Sequence, residues 1–317
     1  MHNHNHDDEQ NLAALLDLDA EVLGPQLAEA TAWLAALAGD RPVRRILDLG
    51  CGTGAGTFAL LERFPDADVI AVDLSPHMLR QLEAKARARG LAVRVRTVEA
   101  NLDEDWPPLD GDVDLAWMSA ALHHMSDPAR TLRQALAALR PGGLLGLIEM
   151  QGFPRFLPDD IGLGRPGLEA RCNAVVDRLR AVELPHHGAD WAPMLEAAGF
   201  AVASERQFTV ELTPPLPESA GRYAQAVFQR LRPRLDGELD SGDLAVLDTL
   251  IGDGPESLRR RADLTVRGTR PAWAGRRPLR TLRCAAAASP GQPAPSADGG
   301  RVRSSKGARR GPGFPLT

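Results

Sequence analysis

The sequence predicts an α/β fold built on a doubly wound sheet, and three observations carry that prediction. The first is the stretch Ile46 to Thr57, I-L-D-L-G-C-G-T-G-A-G-T, where a short apolar run stops on Gly50, Gly52 and Gly54 and passes into a helical pattern from Phe58. Strand, glycine loop and helix in that order bring free backbone N–H groups to a place where no Cβ intrudes, which suits an anionic or zwitterionic ligand. The second is Asp73, an acid closing the next apolar run, Val69-Ile70-Ala71-Val72. An acid at the end of the second strand of a βαβ unit is placed to hold a ribose hydroxyl. The third is the continued alternation of apolar runs with helical periods across the next hundred residues.

Taken in order, the chain opens on His2, His4 and His6 between asparagines, a tract that reads as an unstructured terminus or a tag rather than a weak metal site. Two amphipathic helices follow between Leu12 and Leu37, broken at Gly24-Pro25. After Asp73, Ser75 as N-cap and Pro76 at the first helical position start a helix that runs to Arg89 and stops on Gly90. Val93, Val95 and Val98 alternate with polar residues as a third strand, ending at Glu99-Ala100-Asn101-Leu102. Val113 to Met118 is the fourth, followed by Ser119 and the pair His123-His124. A helix from Ala129 to Leu139, a turn at Arg140-Pro141-Gly142-Gly143 and a fifth strand from Leu144 to Met150 come next.

Beyond Met150 the segment 152–188 is punctuated by proline and glycine and then helical from Leu168 to Val182, with Arg155, Arg165, Arg171, His186 and His187 among apolar groups. A helix at Asp190–Gly199, a strand at Phe200–Leu212, a second helical segment at 214–261 and a final strand at Asp263–Ala274 complete the pattern. The division is therefore 1–40 as N-terminal helices, 41–278 as the main domain with insertions at 152–188 and 214–261, and 279–317 as a basic tail whose composition predicts disorder.

Charge and cysteine usage narrow the function classes. The tail carries seven basic residues against Asp298 alone, a balance of +6, which leaves the rest of the 317-residue chain at −11 from a total of −5. An acidic body argues against a nucleic-acid partner, because phosphate-backbone binding rests on clustered Lys and Arg. No apolar run approaches the roughly 20 residues that cross a bilayer, and the acidic N-terminus is unlike a signal peptide. Cys51, Cys172 and Cys284 are widely spaced and odd in number, so a reducing cytoplasm is the expected setting. No metal-ligand spacing stands out, and the oligomeric state is not readable.

Two cofactor readings are open from the residues alone. Gly50-Cys51-Gly52-Thr53-Gly54-Ala55 can be set against the dinucleotide pattern G-x-G-x-x-G/A, which would make the chain a nicotinamide-dependent oxidoreductase, although no Tyr-x-x-x-Lys pair accompanies it. Against that, L-D-L-G-C-G-T-G with Asp48 two residues before the first glycine resembles motif I of the class I S-adenosylmethionine-dependent methyltransferases. The stretch from Val113 to Pro128 and the L-R-P-G-G at 139–143 extend the resemblance from Ile46 through Met150. It implies a seven-stranded Rossmann-like sheet with the last strand antiparallel, helical caps, and methyl transfer from S-adenosylmethionine to a small molecule. A non-catalytic protein that binds the same cofactor fits the same motifs.

The resemblance also implies site residues. Asp48 and the loop Gly50, Cys51, Gly52 and Gly54 would hold the methionine end, and Asp73 with Leu74 the ribose. Asn101, where the family commonly has Asp, and Leu102 would read adenine, and Ser119 would complete the methionine site. The N-terminal helices would lie across the cofactor cleft, with Trp33 either lining it or packing in the core. Asp48 is further expected to tie down the loop backbone, so that its removal lowers stability. A general base, if one is used, is sought among His123, His124 and His187, since a free imidazole titrates near pH 6.5.

Overall fold

The computed structural model describes residues 2–279, with side chains from Asp8 onward; the tail from 280 to 317 lies outside the described residues. The elements are α1 (His2–Val22), α2 (Gly24–Ala38), β1 (Arg45–Leu49), α3 (Ala55–Arg63), β2 (Asp68–Asp73), α4 (Pro76–Ala88), β3 (Val95–Glu99), β4 (Val113–Ser119), α5 (Pro128–Ala138), β5 (Leu139–Ile148), α6 (Leu168–Glu183), α7 (Ala192–Ala198), β6 (Ala201–Leu212), α8 (Glu218–Leu231), α9 (Ser241–Ile251) and β7 (Val266–Arg276). The sheet has seven strands in the order β3-β2-β1-β4-β5-β7-β6. Strands β1 to β5 pair in parallel, and β7 runs antiparallel to both its neighbours. The expected doubly wound sheet with an antiparallel last strand is what the chain forms.

Period-2 alternation explains the layers. In β1 and β4, Ile46, Leu115 and Trp117 face one helical layer, while Leu47, Leu49, Ala116 and Met118 face the other. Both faces are buried, as a parallel sheet between helices requires. A third apolar cluster is separate from these two. It joins Leu15 and Val22 of α1 to Phe156, Val176 of α6, Tyr223 and Phe228 of α8, and Leu247 of α9. That cap sits on a two-stranded ribbon: β7 pairs with β5 only as far as Ala272, and beyond it residues Pro271 to Val266 pair with β6, with one further bridge from Arg267 to Arg155. Because β7 is antiparallel, the ribbon projects past the carboxyl ends of the parallel strands. Strand order reverses between β1 and β4, so the carboxyl edge at that switch is where an open α/β sheet takes its ligand.

Several local expectations are corrected. The helical period begins at His2 rather than Leu12, so the histidine tract is drawn into α1. The helix after the glycine loop starts at Ala55, and Val93 lies in a short 3₁₀ turn at Ala92–Arg94, exposed, ahead of β3. The Pro141-Gly142-Gly143 stretch is no turn before a strand. Leu139 already pairs with Val113, and the register slips once before Leu144 takes up Leu115. The strand also ends at Ile148, short of Met150. Finally, β7 runs from Val266 to Arg276 rather than from Asp263.

Candidate active site at the carboxyl edge of the sheet

The glycine loop is held from two directions. Gly50 and Cys51 donate their N–H groups to the Val72 carbonyl at 2.8 and 3.0 Å. Gly52 N–H donates to Asp73 Oδ2 at 2.8 Å, and Ser75 N–H donates to Asp73 Oδ1 at 2.9 Å. Asp73 therefore ties the loop backbone, the role expected of Asp48. Asp48 instead points toward α3: its Oδ2 accepts from the Thr57 hydroxyl at 2.6 Å, and the residue is 2% exposed. Burial pushes its pKa up to about 7, against the lowering effect of the Thr57 hydrogen bond. The same burial, with Asp48 and Asp73 beside it, pushes the Cys51 thiol well up, so this cysteine is a packing group.

The positive φ of Gly50 and its neighbourhood require glycine. At φ 72°, a Cβ on Gly50 would stand 2.6 Å from the Ala121 Cβ. The loop after β1 thus lies directly against the loop after β4. Ala120, in that second loop, takes φ 52°, a conformation a residue with a Cβ adopts at a cost, and its N–H donates to the Ile148 carbonyl of β5 at 2.8 Å.

That bend leads from Ser119, half-buried at the end of β4, into the turn bearing the histidines. His123 is 6% exposed, and its Nδ1 lies 2.5 Å from Glu149 Oε2. The other oxygen of Glu149 accepts the N–H groups of Leu122 and His123 at 3.0 and 3.3 Å. With Glu149 ionised, Nδ1 carries the proton and Nε2 is left as the basic nitrogen. His124 stacks on His123 at 4.1 Å between ring centres, and His187 meets His123 edge-on at 5.4 Å. Although the His124 residue is open to solvent on one side, desolvation of its ring and the charge of His123 push its pKa down to about 4. His187 is likewise lowered, by burial first and by Arg180 next. All three histidines singled out in the sequence come together; Glu149, which organises them, carries no sequence signal beyond being an acid at a strand end.

Helix α1 closes over this edge. Asp17 accepts from the Thr53 hydroxyl at 2.6 Å and pairs with Lys85 of α4. Glu9 accepts from the Ser75 hydroxyl at 2.9 Å. Half a turn beyond Asp17, Asp19 takes two hydrogen bonds from Arg270 of β7 at 2.7 and 2.8 Å and one from the Tyr223 hydroxyl at 2.5 Å. The cavity left beside Arg270, between Leu23, Gln26, Met150 and Val210, is about 10 Å³. That is room for about one water molecule. Trp33 is not part of the cleft. It packs edge-on against Phe208 at 5.8 Å and donates to the Ser204 hydroxyl, both on β6.

The remaining predicted residues lie near the loop. Leu74 is exposed, and Leu102 is buried under the edge. Asn101 Oδ1 accepts the Asp103 N–H at 3.1 Å, which uses one of its lone pairs and leaves the other. Among the described residues no helix is long and apolar enough to cross a membrane.

A family model described as a methyltransferase domain matches residues 46–143. The trans-aconitate 2-methyltransferase of Deinococcus radiodurans is 40% identical over 114 residues, 36% of this chain and 41% of that protein. The demethylmenaquinone methyltransferase of Thermus thermophilus is 36% identical over 119 residues, 38% of this chain and 53% of that protein. The chain thus spans about half, or less, of the length of these curated relatives. Among solved structures, a geranyl diphosphate methyltransferase in complex with S-adenosylmethionine aligns over 83% of this chain and 90% of its own, at 18% identity and a TM-score of 0.48.

Proposed function

We propose that this chain, whose residues 46–143 match a methyltransferase-domain model, is a class I S-adenosylmethionine-dependent methyltransferase and transfers a methyl group from that cofactor to a small-molecule acceptor. One observation carries the reading: the glycine loop after β1 lies against the loop after β4, Gly50 beside Ala121, and two residues further that second loop bears His123, held by Glu149. A cofactor site and a proton acceptor then share one edge. Trans-aconitate and demethylmenaquinone, the acceptors in the names of the two curated relatives, support the small-molecule class.

The residues present fit the cofactor. The loop admits backbone where a Cβ would collide, and Asp48 and Asp73 supply carboxylates for an ammonium and for ribose hydroxyls. Asp48 and the Gly50–Gly54 backbone, with Ser119, would hold the methionine end; Asp73 and Leu74 the ribose; Asn101 and Leu102 the adenine. Bound there, the cofactor would supply a methyl group already activated by its sulfonium. The chain's own contribution is alignment, exclusion of water by α1 and the cap, and removal of a proton from the acceptor by Nε2 of His123. Glu149 is the positioning residue, fixing the ring and the tautomer.

A melting experiment tests the cofactor half. S-adenosylhomocysteine at about a hundredfold its Kd is expected to add about 2.7 kcal/mol, with no shift from NADH. A shift with NADH and none with S-adenosylhomocysteine would sink the reading. A screen of acceptors with labelled S-adenosylmethionine tests the transfer half, and a protein that binds the cofactor without turning over any acceptor would be a non-catalytic binder.

The ribose assignment has its own test. Asp73→Ala is expected to weaken S-adenosylhomocysteine about 10- to 150-fold, the worth of a charged hydrogen bond. It should also lower the melting temperature of the free protein, since Gly52 and Ser75 lose their acceptor. Calorimetric titration showing wild-type affinity would remove Asp73 from the site.

A further inference from the structure

Most arginines of the cap are held by acids. Arg165 and Arg171 close on Asp243 of α9 with Nη2 at 2.8 and 2.7 Å, and Arg178 pairs with Glu238. Those contacts fasten α6 and the loop before it to its neighbours, and the Asp243 carboxyl is held well below the usual range by them. Arg180 is different. It is 9% exposed, its Nη1 is buried, and that atom has no hydrogen-bond partner among the described residues. Glu183, on the same helix, is taken by Arg234 at 2.5 Å, and Asp177, one turn earlier, is exposed. The guanidinium lies over the ring of Phe153, 3.9 Å from its centre, which holds it in place without neutralising it.

A buried cation with an unpaired donor is a cost to the free fold. Its position says what would relieve that cost. The chain places it next to the histidines: the Leu184 N–H donates to the Arg180 carbonyl at 2.8 Å and the His187 N–H to the Leu184 carbonyl at 2.9 Å. His187 meets His123 at 5.4 Å, and the electrostatic effect of Arg180 on His124 and His187 agrees with that placement.

We propose that Arg180 is the anchor for a carboxylate on the acceptor, received beside His124 and His187 while His123 serves the nucleophilic atom. This inference rests on the methyltransferase reading and names the substrate class it leaves open: small organic acids. Charge matching favours a carboxylate over a phosphate. Burial holds His124 and His187 toward their neutral forms, and the positive fields of Arg230 and Arg234 on Arg180 are opposed by those of Asp177 and Glu183. The corner therefore presents about the one charge of the Arg180 guanidinium, which pairs with a monoanion and leaves a dianion uncompensated.

The test uses the full chain, first titrated with S-adenosylhomocysteine and then, at saturation, with benzoate, its neutral isostere benzamide, and phenyl phosphate. Benzoate is expected to bind more tightly than either of the others. Arg180→Met should weaken benzoate about 10- to 150-fold, the loss of a charged hydrogen bond, with S-adenosylhomocysteine affinity unchanged. Its melting temperature without ligand should equal or exceed that of wild type, because a buried donor without a hydrogen-bond partner is gone; Arg180→Lys should keep part of the affinity. A purely structural arginine predicts the reverse, a lower melting temperature and unaltered benzoate binding, and that result overturns the proposal. So does benzamide binding as well as benzoate, phenyl phosphate binding better, or no benzoate binding by wild type. The first titration is independent: failure to bind S-adenosylhomocysteine counts against the methyltransferase reading, not against the anion corner.

Discussion

His123→Ala is expected to lower kcat about 100- to 10,000-fold, the usual worth of a positioned general base, while leaving affinity for S-adenosylhomocysteine unchanged. The ring is fixed at Nδ1 by Glu149 at 2.5 Å and walled by His124 and His187, so its removal deletes the proton acceptor without touching the glycine loop. Added imidazole should restore part of the rate by entering the space of the lost ring. A structural role would not be rescued in this way. Glu149→Gln makes a complementary case. The amide keeps the size of the side chain but offers one oxygen where the carboxylate serves three donors, the ring and the N–H groups of Leu122 and His123. A buried donor left unpaired costs about 1–3 kcal/mol, so this variant should melt earlier as well as turn over more slowly, and imidazole should not rescue it. Full activity in His123→Ala with a purified acceptor would remove the base from the mechanism.

Local signatures were legible in the sequence and long-range pairings were not. The glycine loop, Asp73 and the Ser75-Pro76 helix start each depend on residues within a few positions, where steric and capping rules act directly. Strands β1 and β4 were legible as short apolar runs because both of their faces are buried. Glu149 was not, since what gives it meaning is the adjacency of β4 and β5, which sets an acid at one strand end beside a turn 26 residues earlier. The Asp19–Arg270 pair spans 251 residues, and no spacing rule reaches that far. Proline and glycine at 141–143 misled for a related reason. They usually punctuate a chain, yet here they form an irregularity inside the strand, between Leu139 and Leu144, which both pair with β4, and Gly142 and Gly143 bond to Arg277 instead. Trp33 shows the limit of helical periodicity, which identifies an apolar face but not what that face meets.

Asp48→Asn is expected to make the free protein more stable at pH 8 and to weaken cofactor binding. The sequence alone suggests the opposite sign for stability, because an acid at a strand–loop junction reads as a tether. In the structure the tether is Asp73, and Asp48 is a carboxyl in an apolar setting with Thr57 donating to it. Its pKa, raised by burial to about 7 from 3.8, sets the sign. A folded pKa above the unfolded one means the unfolded chain releases this proton first. The stability present below about pH 4 is therefore lost as pH rises, until ionisation in the fold is complete above about pH 7. Three units correspond to about 4 kcal/mol. Asn keeps an acceptor for the Thr57 hydroxyl and cannot ionise, so its melting temperature should lack this fall between pH 4 and pH 7 and exceed that of wild type at pH 8. The cofactor changes the balance. If the carboxylate meets the ammonium of the methionine end, binding supplies the missing counter-charge. Wild type should then bind S-adenosylhomocysteine more tightly at pH 8 than at pH 6, while Asp48→Asn loses about 10- to 150-fold in affinity together with that pH dependence. Melts across this pH range and calorimetry at its two ends separate the claims. An Asn variant less stable than wild type at pH 8 would return Asp48 to a tethering role, and unaltered affinity would remove it from the methionine site.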